Sequence, residues 1–320
     1  MRNCQEPNSP VPHMNLIGRV IMAFMPITPK GLVRFFSRRY VAGTELHHAI
    51  KVMEDMANEN TSFTVDVLGE DITSIEETEW FVTEYQDLIK AISTSKIDAH
   101  ISLKPTAFGL DIDYDHALST VSELAKLASD FDIFVRLDME DSDHTESTLR
   151  MTEDLHKLGH RNTGVVLQGR LFRTLDDLER LSASLGPDAD VRICKGIYLE
   201  HPDIAYTGYN DIVRATSAAV SKALDLGMYV GVASHDHPVI NSTIKSLDER
   251  NFVFPGQDPR EPAPTKREGK GNGYEFQFLL GVRGDVRRRL ASEGHLTRVY
   301  LPYGEQWYEY SMRRLRENPG

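Results

Sequence analysis

The stretch DIFVRLDMEDSDHTESTLRMTEDLHKLGHRNTGVVLQG, residues 132–169, contains the unit that decides the fold. It begins and ends with short apolar segments, DIFVRLDME and TGVVLQG, which predict buried strands. The segment STLRMTEDLHKLG between them has apolar residues at helical spacing and closes on a glycine. A strand, a helix and a second strand in this order predict a βαβ unit with parallel strands.

Six further apolar segments predict strands on either side of this unit. They alternate with helical segments, so the chain holds eight predicted strands, each followed by a helix. This number favours an α/β fold of the closed (β/α)8 type, a TIM-like barrel, over an open doubly wound sheet, which places a glycine fingerprint after its first strand. The stretch VLGEDITS after the first predicted strand lacks that fingerprint. The six segments are SFTVDVLG from Ser62, HISLKP from His100, DVRICKGIY from Asp190, MYVGVASH from Met228, YEFQFLLG from Tyr274 and TRVYLPYG from Thr297.

Residues 1–60 precede the first predicted strand and predict an N-terminal helical arm. Their second helix-like stretch, AGTELHHAIKVMEDMANE, has an apolar stripe at helical spacing. The barrel is predicted to occupy residues 61–320, with no second domain. The glycine-dense stretch GKGNG, residues 269–273, lies in a polar region before the seventh strand and predicts a flexible loop.

Composition and charge exclude several classes of protein. The chain has 320 residues, 40% of them hydrophobic and 26% charged, which is typical of a globular protein with a sizeable core. Its 36 basic and 48 acidic residues give a net charge of −12, the wrong sign for a nucleic-acid partner. Cys4 and Cys194 are the only cysteines, which favours reduced thiols in the cytoplasm over a disulfide framework.

The most apolar run is MNLIGRVIMAFM, residues 14–25. It is interrupted by Arg19 and is shorter than the roughly 20 residues that span a bilayer. No small-residue cleavage site follows it, so it predicts an amphipathic N-terminal helix and no signal peptide. No transmembrane helix is predicted.

Polar side chains are predicted at the carboxyl ends of seven consecutive strands, the end at which barrels of this kind carry their active sites. A lone lysine or histidine is more often structural than functional. Seven strands that deliver polar groups to one rim favour a functional site. These groups are Lys104, Asp138, Gln168, Arg192 with Lys195, His235, Gln277 and Tyr300.

The last helical segment, WYEYSMRRLRENP, adds a pair of arginines. Arg313 and Glu317 are four residues apart and share a helix face, with Arg314 next to them. A solvated basic helix would have the same pattern. Paired arginines beside a barrel mouth suit bidentate capture of a carboxylate.

Neither a metal site nor a nucleophilic cysteine is predicted. The histidine pairs His47 with His48 and His235 with His237 lack an acidic residue at helical spacing, so no metal is expected. Cys194 has no base nearby in sequence, which favours buried packing over nucleophilic use.

In their order and spacing these motifs resemble the monofunctional bacterial proline dehydrogenases, flavoenzymes with a (β/α)8 barrel. The resemblance extends from RRYVAGTELHHAIKVM through FTVDVLGE, HISLKPTAFGLDI, VRLDMEDS, VVLQGRLFRT, RICKGIY, ASHD, YEFQFLLG and YLPYG to WYEYSMRRLRENP, or about residues 38–319. It implies FAD-dependent oxidation of L-proline to Δ1-pyrroline-5-carboxylate by hydride transfer to flavin N5. This is the first step of proline catabolism to glutamate, and the electrons pass to a quinone at the membrane. The implied location is cytoplasmic, at most peripheral to the inner face of the membrane, and a homo-oligomer is compatible with it.

The resemblance also implies roles for individual residues. Asp138 and Arg192 belong to the catalytic centre, Asp138 as the acid paired with Lys104 and Arg192 as the cation near flavin N5. The implied substrate-binding residues are Lys104, Arg313, Arg314, Glu317, Tyr300, Leu279 and Tyr198. The implied cofactor-binding residues are Met139, Gln168, Arg192, Cys194, Lys195, Gly196, Ser234 and His235.

Three alternatives stay open. A hydroxyproline dehydrogenase of the same family would keep the fold, although Tyr300 should crowd a 4-hydroxyl group. A Schiff-base aldolase barrel would use Lys104 or Lys195 as its nucleophile beside Asp138. A binding barrel would retain the carboxylate clamp without a cofactor. Ile197 stands where many relatives have alanine and adds volume near the substrate or flavin.

Overall fold

Eight parallel strands form a closed barrel in the order in which they occur along the chain. This computed structural model describes residues 39–69, 72–253, 258–308 and 310–312. The (β/α)8 prediction is confirmed, and β8 pairs with β1 to close the barrel. The strands are β1 (Ser62–Val67), β2 (Ala99–Leu103), β3 (Val135–Leu137), β4 (Thr163–Gln168), β5 (Asp190–Cys194), β6 (Tyr229–Ala233), β7 (Tyr274–Leu279) and β8 (Thr297–Tyr303).

A helix precedes β1, and a further helix follows each of the first seven strands. After β8 the chain is again helical at residues 307, 308 and 310–312. Among the described residues, every helix is too short or too polar to cross a bilayer. The helices are α1 (Leu46–Met56), α2 (Thr78–Ser95), α3 (Tyr114–Ser129), α4 (Thr145–Lys157), α5 (Thr174–Leu185), α6 (Tyr209–Asp225), α7 (His237–Glu249) and α8 (Gly284–Ser292).

The strands alternate between two environments. Phe63 and Val65 of β1 lie in the hydrophobic core shared with the surrounding helices. Between them and after them, Thr64 and Asp66 are buried polar residues that face the barrel interior. Parallel strands usually appear in sequence as continuous apolar runs. Here every second residue is often polar because the interior of the barrel holds a network of charged and hydrogen-bonded side chains.

Helix α1 packs against the outside of the barrel. Its Ala49 and Met53 are fully buried in the same core as Phe63 of β1. Before it, the amide of Ala42 donates to the carbonyl of Pro302 in β8, which ties this segment to the barrel wall. Residues 1–38, including the apolar run 14–25, lie outside the described residues, so the helical arm over residues 1–60 stays a prediction.

Buried ion pairs occupy the amino-terminal half of the barrel interior. Arg136 of β3 pairs with Asp190 of β5, and the Arg298 Nε lies 2.8 Å from Glu275 Oε1. Residues 269–273 form a loop, as predicted, but its Lys270 reaches into the barrel, where Nζ lies 3.1 Å from Asp190 Oδ2. Burial lowers the Lys270 pKa to about 8. These charges form the floor beneath the residues at the mouth.

Candidate active site

Asp138 is the centre of the hydrogen-bond network at the barrel mouth. It directly follows β3, as predicted, and its side chain is 13% exposed. Asp138 Oδ1 accepts hydrogen bonds from Arg192 Nη1 and from Ser102 Oγ, both at 2.6 Å. The Tyr300 hydroxyl donates to Oδ2 at 2.8 Å. Donors from three other strands therefore hold one carboxylate, which is how a buried charge is stabilised.

Lys104 forms an ion pair with Asp66, a partner that the sequence did not predict, and the pairing of Lys104 with Asp138 stays a prediction. Lys104 Nζ lies 2.9 Å from both carboxylate oxygens of Asp66. The register places Asp66 of β1 opposite Ser102 of β2, two residues before Lys104. The lysine therefore meets the acid of the adjacent strand, while Asp138 is bound by Arg192. The sequence signal for Asp66 was a carboxylate inside the buried strand FTVDVLG.

The environment of Asp66 shifts its proton affinity. Its side chain is 1% exposed. Burial raises the pKa of Asp66 to about 6, with a further increase from the charge of Asp138, while the ammonium of Lys104 opposes both. The Asp66 carboxylate is therefore expected to bind a proton as the pH falls below neutral.

Arg192, Gln277 and Tyr300 lie inside their strands and not at the strand ends, where the sequence placed them. Arg192 is the third of five residues in β5. Its Nε donates to Gln277 Oε1 at 2.5 Å, and its guanidinium lies 5.2 Å from the centroid of the Tyr300 ring. Arg192 extends through the polar interior, so that its Nη1 reaches Asp138 directly after β3.

Gln168 and Gly196 meet at the ends of β4 and β5. Gln168 Nε2 donates to the Glu140 carbonyl at 2.6 Å and approaches Met139 Sδ at 3.6 Å. Its Oε1 is buried and has no hydrogen-bond partner among the described residues. Gly196 has φ +96°, and a Cβ there would lie 2.3 Å from that Oε1. The chain therefore requires glycine at this position and leaves an unsatisfied acceptor beside it.

The loops after β5 and β6 are joined by an ion pair. Lys195 Nζ lies 2.5 Å from Asp236 Oδ2, and the Asp236 amide donates to Ser234 Oγ at 3.2 Å. His235 Nε2 accepts from the Leu279 amide at 3.0 Å, which connects β6 to β7. The structure thus brings four predicted site residues together at one rim of the barrel: Lys195, Ser234, His235 and Leu279. Asp236 was missed because its role depends on Lys195, which is 41 residues earlier in the chain.

Cys194 is unsuited to act as a nucleophile. Burial raises the pKa of its thiol to about 11, and Sγ lies 3.7 Å from the carbonyl of Leu167. A protonated thiol is a poor nucleophile. Within the described ranges, no group of three or more His, Cys, Asp or Glu side chains is arranged to hold a metal.

The remaining predicted substrate residues are at the edge of the described structure. Tyr198 and Leu279 are partly exposed at the barrel mouth. Arg313, Arg314 and Glu317 lie outside the described residues, so their roles stay predictions. The described part of the last helix packs through Tyr310 against Val41 and Leu68, which follows β1. This contact places the described end of that helix beside the mouth.

Comparison with known proteins identifies the family. A family profile described as "Proline dehydrogenase" matches residues 49–320. The chain belongs to the proline dehydrogenase family. It is 33% identical over 286 residues to proline dehydrogenase 2 of Bacillus subtilis strain 168, covering 89% of this chain and 88% of that protein. It is 32% identical over 287 residues to the proline dehydrogenase of Deinococcus radiodurans, covering 88% and 86%.

A solved structure shows the same fold. Proline utilization A of Bdellovibrio bacteriovorus, solved after inactivation by N-propargylglycine, superposes with a TM-score of 0.78 at 20% identity. The match covers 89% of this chain and 33% of that chain and shows a shared barrel. The enzyme is therefore an oxidoreductase that oxidises proline, the first step of proline catabolism, as the resemblance implied.

Proposed function

We propose that the enzyme transfers a hydride from L-proline to bound FAD and releases Δ1-pyrroline-5-carboxylate. The observation that carries the proposal is the joint placement of the Lys104–Asp66 pair and the Asp138–Arg192–Tyr300 cluster at one barrel mouth. The first offers a cation to the substrate carboxylate. The second offers a rigid, polar surface for the reacting groups.

The residues around Gln168 fit a flavin. Its buried Oε1 lacks a donor among the residues that the structure describes, and Gly196 leaves space that a Cβ would fill. A flavin ring has an N–H group that suits such an acceptor, and Arg192 and Lys195 offer positive charge for its electron-rich edge and its phosphates. Bound FAD would supply the hydride acceptor. The proposed cofactor residues are Met139, Gln168, Arg192, Cys194, Lys195, Gly196, Ser234 and His235.

The chain's own contribution to the reaction is orientation. Lys104, with the proposed partners Arg313 and Arg314 steadied by Glu317, would hold the substrate carboxylate. Asp138 holds the Tyr300 hydroxyl, so the phenol ring is a rigid wall for the pyrrolidine ring, together with the proposed walls Leu279 and Tyr198. The substrate amine must lose its proton before hydride leaves the adjacent carbon. Clamping one end of a small substrate in this way supplies much of the rate.

The contacts of the two lysines argue against Schiff-base chemistry. A Schiff-base lysine must be neutral to attack a carbonyl. Lys104 and Lys195 each form an ion pair with a carboxylate, that of Asp66 and that of Asp236, so neither nitrogen is placed to attack a carbonyl. Hydroxyproline ranks below proline as the substrate because Tyr300, held by Asp138, leaves little freedom to accommodate a 4-hydroxyl group.

An absorption spectrum of the purified enzyme tests the proposal. Bands of a bound flavin between about 300 and 550 nm should bleach when L-proline is added anaerobically, because the oxidised ring is their source. The same addition of 4-hydroxyproline should bleach them more slowly. A protein that stays colourless after incubation with FAD would overturn the cofactor assignment.

Replacing Gly196 by alanine should weaken FAD binding. Its Cβ would lie 2.3 Å from Gln168 Oε1 and 2.7 Å from Arg170 Cδ. Gly159 is the matched control, since its φ is +99° and a Cβ there meets no atom of the described residues within 4 Å. Both substitutions should lower stability by about 1 kcal/mol through backbone strain, and only Gly196→Ala should raise the Kd of FAD, measured by fluorescence titration of the apoprotein. Equal Kd values for the two variants would contradict the assignment of Gly196.

Asp66 should give the enzyme a pH-dependent stability that the Asp66→Asn variant lacks. The pKa of Asp66 is raised to about 6 in the folded protein, so the folded state binds more protons than the unfolded state between about pH 4 and 6. Its stabilising contribution is fully present below that window and is lost as pH rises through it. Urea unfolding should show the wild type losing about 2 kcal/mol relative to Asp66→Asn across this window. A difference in unfolding free energy between the two proteins that stays constant over this pH range would contradict the raised pKa of Asp66.

We propose further that the reduced enzyme passes its electrons to a membrane quinone, acting from the cytoplasm at the inner face of the membrane. The reason is chemical, since a quinone is a lipid-bound two-electron acceptor that matches a hydride-reduced flavin. Proline oxidation should be faster with quinone-containing vesicles than with vesicles that lack quinone. No difference between them, while a soluble dye reoxidises the enzyme, would overturn this acceptor.

A further inference from the structure

Inside the barrel, Gln277 of β7 connects the active-site guanidinium to a buried acid. Arg192 Nε donates to Gln277 Oε1 at 2.5 Å, and Gln277 Nε2 donates to Glu275 Oε1 at 2.5 Å. Gln277 is 4% exposed and Glu275 is fully buried. The two strands that carry Arg192 and Gln277 are separated by β6, so this contact crosses the interior of the barrel.

The chemistry of its two neighbours permits a single orientation of the Gln277 amide. The guanidinium of Arg192 can only donate, so the amide oxygen must face it. Burial would raise the pKa of Glu275, but the charges of Arg298 and Lys270 outweigh burial and hold that pKa well below its usual range. The ionised carboxylate can only accept, so the amide NH2 must face Glu275.

Gly231 of β6 leaves the space that this contact occupies. The strand register places Gly231 between Arg192 of β5 and Glu275 of β7. A Cβ at Gly231 would lie 2.6 Å from Gln277 Nε2 and 3.1 Å from its Cδ. Any larger residue at this position would displace the Gln277 amide.

We propose that Gln277 is a positioning residue that aligns the Arg192 guanidinium, with Glu275 and Gly231 setting the orientation and place of its amide. Through Arg192 Nη1 the same alignment holds Asp138 and thus the Tyr300 hydroxyl. The inference rests on the proposed function for the catalytic importance of Arg192, whereas the alignment itself is independent of FAD.

Two variants on different strands test the role of the Gln277 amide. Gln277→Met keeps the side-chain length and removes both hydrogen bonds, and Gly231→Ala keeps the amide but displaces it. Each should lower kcat for proline by about 10- to 100-fold, because small misplacements at a reacting centre have effects of this size. The KM for proline should change less than about threefold, since Lys104 is untouched. The reduction potential of bound FAD should become more negative as a positive charge leaves its proposed position.

Tyr229→Phe is the matched control. The Tyr229 hydroxyl donates to the other oxygen of the same acid, Glu275 Oε2, at 2.8 Å. Removing it alters the buried charge cluster on the side away from Gln277. This variant should lose stability but keep kcat and the flavin potential near the wild-type values. If it lowers kcat as much as Gln277→Met does, the effect is structural and the positioning role is wrong.

A measurement on the FAD-free protein separates this inference from the proposed function. The Nε–H of Arg192, assigned in 15N-labelled apoprotein by its absence in Arg192→Lys, should exchange slowly with solvent because it is buried and hydrogen-bonded. In Gln277→Met the exchange should be at least about 10-fold faster. Unchanged exchange and unchanged kcat would overturn the inference. A wild type that fails to bleach with proline, with faster exchange in the variant, would instead remove the proposed function and leave the alignment standing.

Discussion

Arg192→Lys is expected to reduce kcat/KM for proline by at least about 100-fold, although it keeps the positive charge. The guanidinium donates through Nε to Gln277 on β7 and through Nη1 to Asp138, which directly follows β3. An ammonium is a single point and cannot replace this planar fork. Asp138 would keep a nearby cation but lose the hydrogen bond from Arg192 Nη1 that fixes its orientation. Stopped-flow reduction by proline measures the change directly.

Arg136→Lys is the matched control for this substitution. Arg136 is another fully buried arginine of the barrel interior, and it pairs with Asp190 in the floor below the site. Its replacement should lower the free energy of unfolding while kcat/KM stays within about threefold of the wild-type value, since it touches none of the groups at the mouth. If the two variants lose activity equally, the loss comes from general destabilisation and Arg192 has no special role.

Lys104→Met is expected to raise the KM for proline by about 10- to 100-fold, the range of a lost charge-assisted hydrogen bond. The effect on kcat should be smaller because the residues around Asp138 are unchanged. The substitution also removes the cation beside Asp66, whose side chain is 1% exposed. Asp66 should respond by holding its proton to higher pH, so the variant should fold at neutral pH. Steady-state kinetics over a wide range of proline concentration gives both constants.

Lys195→Met provides the contrast for Lys104→Met. Lys195 pairs with Asp236 at the end of β5, and its side chain is 32% exposed. Because Lys195 is a proposed FAD-binding residue, its replacement should change the affinity for FAD. The KM for proline should stay nearly unaltered once FAD is saturating. The assignment of Lys104 to the substrate fails if the two variants show the same rise in the KM for proline.

The barrel could be predicted because its signal is local and repeated. Each segment of the type HISLKP or TGVVLQG has the composition of a buried strand, and each is followed by helical spacing. The position of Asp138 at the mouth follows from the same pattern, since it comes directly after a predicted strand. These features depend on residues that are close together in the chain, so the sequence alone can predict them.

The partners of the site residues could not be predicted in the same way. The ion pair of Lys104 with Asp66 depends on the register between β1 and β2, which places Asp66 opposite Ser102. The depth of Arg192 depends on how far a long side chain can extend through a polar interior. Both are properties of the closed barrel and have no local signal in the sequence.

The charged floor of the barrel has a consequence for splitting the chain. Arg136 belongs to the first four strands, whereas its partner Asp190 belongs to the last four. Likewise Asp138 lies in the first half and Arg192 in the second. A fragment ending after β4 would therefore bury an arginine and a carboxylate without their counter-charges, at a cost of several kcal/mol. The two halves should be insoluble when produced separately and recover a folded, proline-oxidising barrel only when they are produced together.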